Sequence, residues 1–424
     1  MKLKRLEWSG TNPRGLAADL RALAPQESIT AGVREILERV RAGGDAAVRE
    51  QAERFGEALP DALRVDPEAV AAAPGLLEPH VREALRLAAA NIEAVARAEM
   101  DGLSRPALAD LPHGQRVEVR SEPVGAAGIY APGGKAPYPS SVLMCCIPAR
   151  VAGVQRIALA SPPGAGGRPQ APTLAAAAIA GVEEVYAVGG AQAIGALAFG
   201  TESIEAVDVV VGPGNRFVTE AKRLAFGHVG IDGLAGPSEL LVVADSTADP
   251  RMIALDVSAQ AEHGSDSPLV VVSPEAEVLD RVAELVAELV ADRPSVTEAP
   301  LALVTAPGLE VALDLADAFA PEHLELAFAG ADENAARSRI AGCVFVGAGG
   351  ATAFGDYAAG SNHVLPTGGA ARFGGPLGPE AFMRRNSVVS IGAEAATGLA
   401  PAVEAVAKAA GFPVHSESAR ARGG

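Results

Sequence analysis

The sequence predicts an α/β protein built from two Rossmann-like parallel-sheet units, with small helical extensions at either end. Three observations carry that prediction. Short apolar runs recur between Arg156 and Gly350, stretches with helical spacing separate them, and the runs are apolar nearly throughout instead of alternating. Near-continuous apolar strands joined by helices belong to parallel sheets covered on both faces.

In chain order, residues 1–27 read as an N-terminal extension. From Ser28 to Met100 the pattern is helical: Val33, Ile36, Leu37 and Val40 fall on one face, as do Ala84, Leu85, Leu87, Ala88, Ile92 and Val95. From Val117 the chain alternates briefly, then breaks at Pro132, Gly133 and Gly134. Predicted strands follow at Arg156–Ser161, Glu184–Gly190, Asp208–Asn215 and Ser238–Asp245. The series continues at Pro268–Ser273, Leu301–Ala306, His323–Ala329 and Gly342–Gly350. Helices fit between them at Thr173–Ile179, Gln192–Phe199, Arg216–Leu224, Pro250–Ala261, Val278–Ala291 and Leu313–Phe319. After Phe373 the pattern dissolves into Gly and Pro, and a helical tail is expected at Ala400–Ala410.

Composition excludes several function classes. The 424 residues carry 35 Lys and Arg against 52 Asp and Glu, a formal charge of −17. Nothing supplies the clustered cations that a nucleic-acid backbone or an anionic lipid surface requires. The N-terminus, MKLKRLEWSG, has no hydrophobic region of a signal peptide, and the apolar run Ala171–Val182 is too short to span a bilayer. Cys145, Cys146 and Cys343 form neither a disulfide framework nor a thiolate zinc site. Unpaired thiols suit a reducing compartment, so a cytoplasmic location is expected.

Three glycine clusters follow predicted strands, and none is the dinucleotide fingerprint. Gly212-Pro213-Gly214-Asn215-Arg216-Phe217 places Phe at the third glycine; Gly347-Ala348-Gly349 meets Thr352; Gly189-Gly190 runs into Ala191-Gln192. Each reads as a tight strand-to-helix turn, although the Gly212–Asn215 turn opens a helix whose amides could receive a phosphate. Of seven histidines, His80, His113 and His228 read as surface residues. His263, His323, His363 and His415 lie in polar segments at element ends, where α/β proteins build sites.

Gln260 and His263 are three apart at a predicted helix end, hence on one face. They read either as two metal ligands or as a helix C-terminus favouring His263 through its dipole. Ligand chemistry alone would choose Glu262 or Asp266 over Gln260. Glu322-His323, after Pro321, reads as an acid–imidazole pair serving one reaction centre or as a solvated turn. Asp356, in a glycine-flanked loop, reads as a hard metal ligand or a turn-stabilising aspartate.

Several strings occur together and in order: GIYAPGGKAPYPSSVLM, VVVGPGNRFVTEAK, GIDGLAGPSELLVVAD, AQAEHGSDS, APEHLEL and GCVFVGAGGATAFGDYAAGSNHVLPTGGAARF. In this order, over about Gly128 to Phe373, the chain resembles the histidinol dehydrogenase family, and weaker similarity extends over essentially the whole chain. The resemblance implies oxidation of L-histidinol through L-histidinal to L-histidine, reducing two NAD⁺ and consuming one water. It implies one zinc ion per subunit on Gln260, His263, Asp356 and His415, and catalysis by Glu322 and His323. Tyr130, Gln192 and Asn215 match NAD contacts. Ser238, Gln260, His263, His323, Asp356 and His415 match substrate contacts, and His363 lies in a matched pocket segment.

It also implies a homodimer in which residues 373–424 reach the partner, the Gly374–Pro379 stretch letting the tail extend. With the element pattern, the expected division groups 28–125 with 241–372 in one α/β domain and 126–240 in a second. One departure stands out. The family tail reads Glu-Gly-(Leu/Phe)-x-x-His, whereas this chain has Ala410-Gly411-Phe412-Pro413-Val414-His415, with Glu417 as a neighbouring acid. The missing carboxylate leaves open a related dehydrogenase of another small alcohol, such as a sulfonated diol. An inactive metal-binding paralogue is a third reading, against which stand Glu322, His323 and all four matched ligands.

Overall fold

The structure is a computed structural model describing residues 1–24, 29–103, 105–133, 136–164, 166–337 and 340–423. The expected boundary at 27/28 and the break at Gly134 lie outside the described residues. The described strands are β1 (Lys2–Glu7), β2 (Ala107–Asp110), β3 (Arg116–Pro123), β4 (Ala126–Tyr130), β5 (Arg156–Ser161), β6 (Glu184–Ala187) and β7 (Val209–Val211). They continue as β8 (Gly230–Ile231), β9 (Leu240–Ala244), β10 (Leu269–Ser273), β11 (Pro300–Thr305), β12 (His323–Ala327), β13 (Cys343–Val346) and β14 (Met383–Ser390).

Two sheets are wholly parallel, as the apolar runs predict: β1-β11-β10-β9-β12-β13 and β6-β5-β4-β7-β8. In the six-stranded sheet β9 and β10 are buried along their whole length because helices cover both faces. Leu241, Val243, Val270 and Val272 pack against Leu20, Leu313 and Phe319 on one side. Leu240, Val242, Leu269 and Val271 pack against Ile253, Val257, Leu279 and Val282 on the other. Each such side chain contributes about 1.5–3 kcal/mol by leaving water.

The five-stranded sheet is enclosed similarly. The helical stripe Val33, Ile36, Leu37 and Val40 meets Ile194 and Leu197 on one face, while Leu85, Ala88 and Ile92 join the core on the other. Residues 30–103 therefore pack on this sheet and not on the sheet formed after residue 240, which differs from the expected grouping. Long helices carry no signal for which of two sheets they will cover; complementary packing decides it.

The expected helical extensions are corrected at both ends. The chain opens with β1, paired in parallel with β11 along Lys2–Glu7, and the tail contains β14, which with β3 and β2 forms an antiparallel sheet. Both missed strands are almost wholly exposed, so neither has the buried face that a period-two pattern records. The charged residues of KLKRLE also suit an edge that must not recruit another strand. No described helix is long and apolar enough to cross a membrane.

Candidate functional site

In the five-stranded sheet the chain lays down β4, β5 and β6 outward, then returns to place β7 and β8 on the other side of β4. The order reverses between β4 and β7, where open α/β sheets bind ligands beyond the carboxyl ends of their strands. Tyr130 ends β4, and the Gly212–Asn215 turn follows β7. Gly212 has φ +117, and a β-carbon there would collide with the Tyr130 carbonyl, so only glycine lets these strand ends approach. The buried Lys222 ammonium holds the turn by donating to the Gly212 carbonyl at 2.9 Å and to Asp232 at 2.5 Å. Asn215 caps the helix Arg216–Ala225, its Oδ1 accepting from the amides of Phe217 (3.0 Å) and Val218 (3.2 Å).

Tyr130 is buried and its hydroxyl accepts from the Gly190 amide at 3.2 Å. Burial pushes that phenol up to about 12, so it remains a neutral donor. Gln192, on the first turn of the helix Gly190–Phe199, donates to Glu57 at 3.4 Å, while its buried Oε1 has no partner. Asn215 lines a cleft of about 700 Å³; Tyr130 and Gln192 are not among its lining residues.

The same cleft is lined by Ser238, His263, Glu322, His323, Asp356 and His363. These residues gather at the amino-terminal edge of the six-stranded sheet, the edge opposite to the usual ligand-binding one. Glu322 and His323 enter β12 through Ala320, a non-glycine residue with φ +49, and Pro321. Gly342 admits this turn closely: its amide donates to the Pro321 carbonyl at 2.9 Å, and a β-carbon would lie 2.7 Å from the Glu322 carbonyl.

Glu322 Oε2 accepts from the Ser238 hydroxyl at 2.5 Å and the Glu239 amide at 2.7 Å. His323 Nδ1 lies 3.1 Å from the Glu239 carbonyl, which can only accept, so Nδ1 carries a proton. That leaves Nε2 directed to Asp356 Oδ1 at 3.7 Å. Burial alone would lower the imidazole's affinity for a proton, but the Glu322 and Asp356 carboxylates outweigh it and raise His323 well above its usual range. Burial would likewise raise Asp356, and His323 outweighs it, holding that carboxyl below its ordinary value. A proton accepted by His323 is thus stabilised by two fixed carboxylates.

A cation-accepting donor set lies beside the pair. Gln260 Nε2 donates to Ser238 Oγ at 2.5 Å, which leaves the buried Gln260 Oε1 without a partner. His263, just beyond the end of the helix Pro250–Ala261, places Nε2 3.9 Å from Asp356 Oδ2. Asp356 itself lies in the helix Thr352–Tyr357 and not in the expected loop. His363 Nδ1 bonds the Asp356 carbonyl at 2.8 Å and its Nε2 accepts from Ser141 at 3.0 Å; burial lowers its pKa, so it is a neutral brace. An orphaned amide oxygen, an imidazole and an ionised carboxylate suit a divalent metal.

His415 is not brought to this set. It lies exposed on the helix Pro413–Arg420, its ring 5.3 Å from that of Phe412, and it does not line the cleft. No group of three or more His, Cys, Asp or Glu able to hold a metal occurs among the described residues of one chain. His80, His113 and His228 are exposed, as expected. Sequence reading missed Glu239, whose backbone brackets the Glu322–His323 pair; the one available signal was an acid opening an otherwise apolar strand.

The sequence model of the histidinol dehydrogenase family matches residues 20–423. The histidinol dehydrogenase of Parasynechococcus marenigrum is 43% identical over 405 residues, spanning 94% of this chain and 92% of that one. The Gluconobacter oxydans enzyme is 41% identical over 435 residues, spanning 99% of each. The crystal structure of histidinol dehydrogenase from Elizabethkingia anophelis superposes with a TM-score of 0.89 at 31% identity, covering 100% of this chain and 98% of that one. Sequence and fold agree along nearly the entire length, with the acid–imidazole pair seated in the cleft between the two parallel sheets: the chain belongs to the histidinol dehydrogenase family.

Proposed function

We propose that this protein oxidises L-histidinol through L-histidinal to L-histidine as a cytoplasmic homodimer, reducing two NAD⁺ to NADH and consuming one water. The observation that carries the reading is the convergence of Glu322, His323 and Ser238 on one cleft that the Asn215 turn also lines, with Gln260, whose Oε1 is unpartnered, bonded behind them to Ser238. Zinc would be held by Gln260, His263 and Asp356 with His415 of the partner subunit, and NAD⁺ by Tyr130, Gln192 and Asn215. When bound, the metal supplies an anchor for substrate nitrogen and the dinucleotide supplies the hydride acceptor.

From its deprotonated form, His323 Nε2 takes the hydroxyl proton of the alcohol as the carbinol hydride departs, its Nδ1–H kept in register by the Glu239 carbonyl. Glu322, fixed by Ser238 and Glu239, removes a proton from the water that adds to the aldehyde, and the resulting hydrate loses the second hydride. His323 then receives and passes on the remaining proton. Ser238, Asp356 and His363 orient the substrate.

Purified protein given histidinol and NAD⁺ is expected to form two NADH per substrate, to lose turnover on chelation and to recover it with zinc. His323→Asn should lower kcat by about 100- to 10,000-fold. Ala410, which caps the helix Ala393–Ala409 where the resemblance leads one to expect Glu, leaves open one rival substrate class. Turnover of a sulfonated diol with none of histidinol would replace the proposed substrate.

A further inference from the structure

We propose that Arg21 is a positioning residue for the Glu322–His323 pair, acting through the Glu239 side chain and the turn that leads into β12. The inference rests on the catalytic assignment of that pair. Arg21 ends the helix Pro13–Arg21, in the segment that sequence reading set aside as an extension. Its Nε donates to Glu239 Oε1 at 3.0 Å and its Nη2 to Glu239 Oε2 at 3.4 Å. The same Nη2 donates to the carbonyls of Phe319 and, at 3.4 Å, Ala320, and the guanidinium stacks 4.0 Å from the Phe319 ring centroid. The Glu239 side chain is only 3% exposed.

These partners flank the catalytic pair on both sides. Phe319 and Ala320 immediately precede Pro321-Glu322-His323 and supply carbonyls at the end of the helix Leu309–Phe319, where intrahelical donors run out. Ala320 holds a left-handed conformation that is unfavourable for a non-glycine residue and persists only where its surroundings enforce it. Across the turn, the Glu239 amide donates to Glu322, and the Glu239 carbonyl accepts from both the His323 amide (3.2 Å) and His323 Nδ1 (3.1 Å). One planar cation thus joins the strained turn carrying the pair to the residue that bonds both members. Lysine, with a single compact charge, cannot fork to a carboxylate and two carbonyls while lying flat on an aromatic ring. Without Arg21 the Glu239 carboxylate is left buried beside Glu322 with its cation gone.

The test compares the parent with R21K, R21M, E239Q and R21M/E239Q by steady-state kinetics, thermal unfolding and ¹⁵N spectra of histidine-labelled protein. The expected result is a kcat loss of about 10- to 100-fold in R21K and R21M, with KM for NAD⁺ within about twofold of the parent. The His323 Nδ1–H resonance should shift in both while that of His363 stays. R21M/E239Q should recover part of the R21M loss, since it removes the stranded carboxylate. R21K keeps the test open should R21M not fold. A folded R21K or R21M with parental kcat, or one that loses Tm and kcat while the His323 resonance is unmoved, would overturn the proposal. If the parent fails to oxidise histidinol, the catalytic reading falls, and the His323 resonance still decides whether Arg21 positions the imidazole.

Discussion

At the residue scale, Ser238 connects what the motifs keep separate. Its hydroxyl oxygen accepts a hydrogen bond from the Gln260 amide and its O–H donates one to Glu322, so one oxygen links a candidate metal ligand to the candidate water-activating acid. Gln260 is chosen over Glu262 by direction: Gln260 is buried toward Ser238, whereas Glu262 turns outward to Ser295. No side-chain spacing in the sequence encodes that choice. The Glu322–His323 dipeptide was visible as an acid–imidazole pair, but its bracketing by Glu239 was not, because a backbone contact leaves no residue-type signature. If Glu322 serves the water step, Glu322→Gln should depress oxidation of the aldehyde more than of the alcohol. Single-turnover assays should then show NADH yield falling from two per histidinol toward one, with aldehyde trapped by a carbonyl reagent. An unchanged yield would remove Glu322 from that role.

At the element scale, β12 carries more than His323. Glu325 follows His323 by two residues and so shares its face, pointing to the helix Pro250–Ala261 that also bears Gln260. Burial, then the neighbouring Asp256 carboxyl, pushes Glu325 up to about 9, and burial raises Asp256 as well. A carboxyl whose folded pKa lies above its unfolded value favours the folded state most at low pH and loses that contribution as pH rises through the folded pKa. The Tm of Glu325→Gln minus that of the parent should therefore increase from pH 5 to pH 9 in thermal unfolding. A difference independent of pH would show that Glu325 is not held protonated. The buried strands β5, β9 and β10 were legible in the sequence because both their faces are largely apolar, and β12 because its two leucines alternate. β1 and β14 were not, because they pair by backbone hydrogen bonds while their side chains face water.

At the scale of the whole molecule, the cleft joins unlike edges of two sheets: the carboxyl edge of β4 and β7 and the amino edge of β9, β12 and β13. Within one chain it gathers His263 and Asp356, with Gln260 bonded to Ser238 in its wall, but not His415. If tails are exchanged between subunits, His263→Ala and His415→Ala should each lose zinc and activity alone. Hybrids reassembled from the two should regain activity, since one cleft then has three intact ligands and an intact His415 from the partner subunit. Hybrids as inactive as their parents would exclude exchange.

The sequence by itself determined the α/β class, the position of nearly every buried strand, and, through ordered motifs, the family. These are properties of local periodicity and residue identity. Only the tertiary structure decided which sheet the helices of residues 30–103 cover, that the first strand completes the larger sheet, and that Arg21 reaches Glu239 beneath the turn into β12. The reason is physical. Long-range partners are selected by complementary shape and by the need of buried charges and carbonyls to be satisfied, and neither requirement can be read from residues adjacent in the chain.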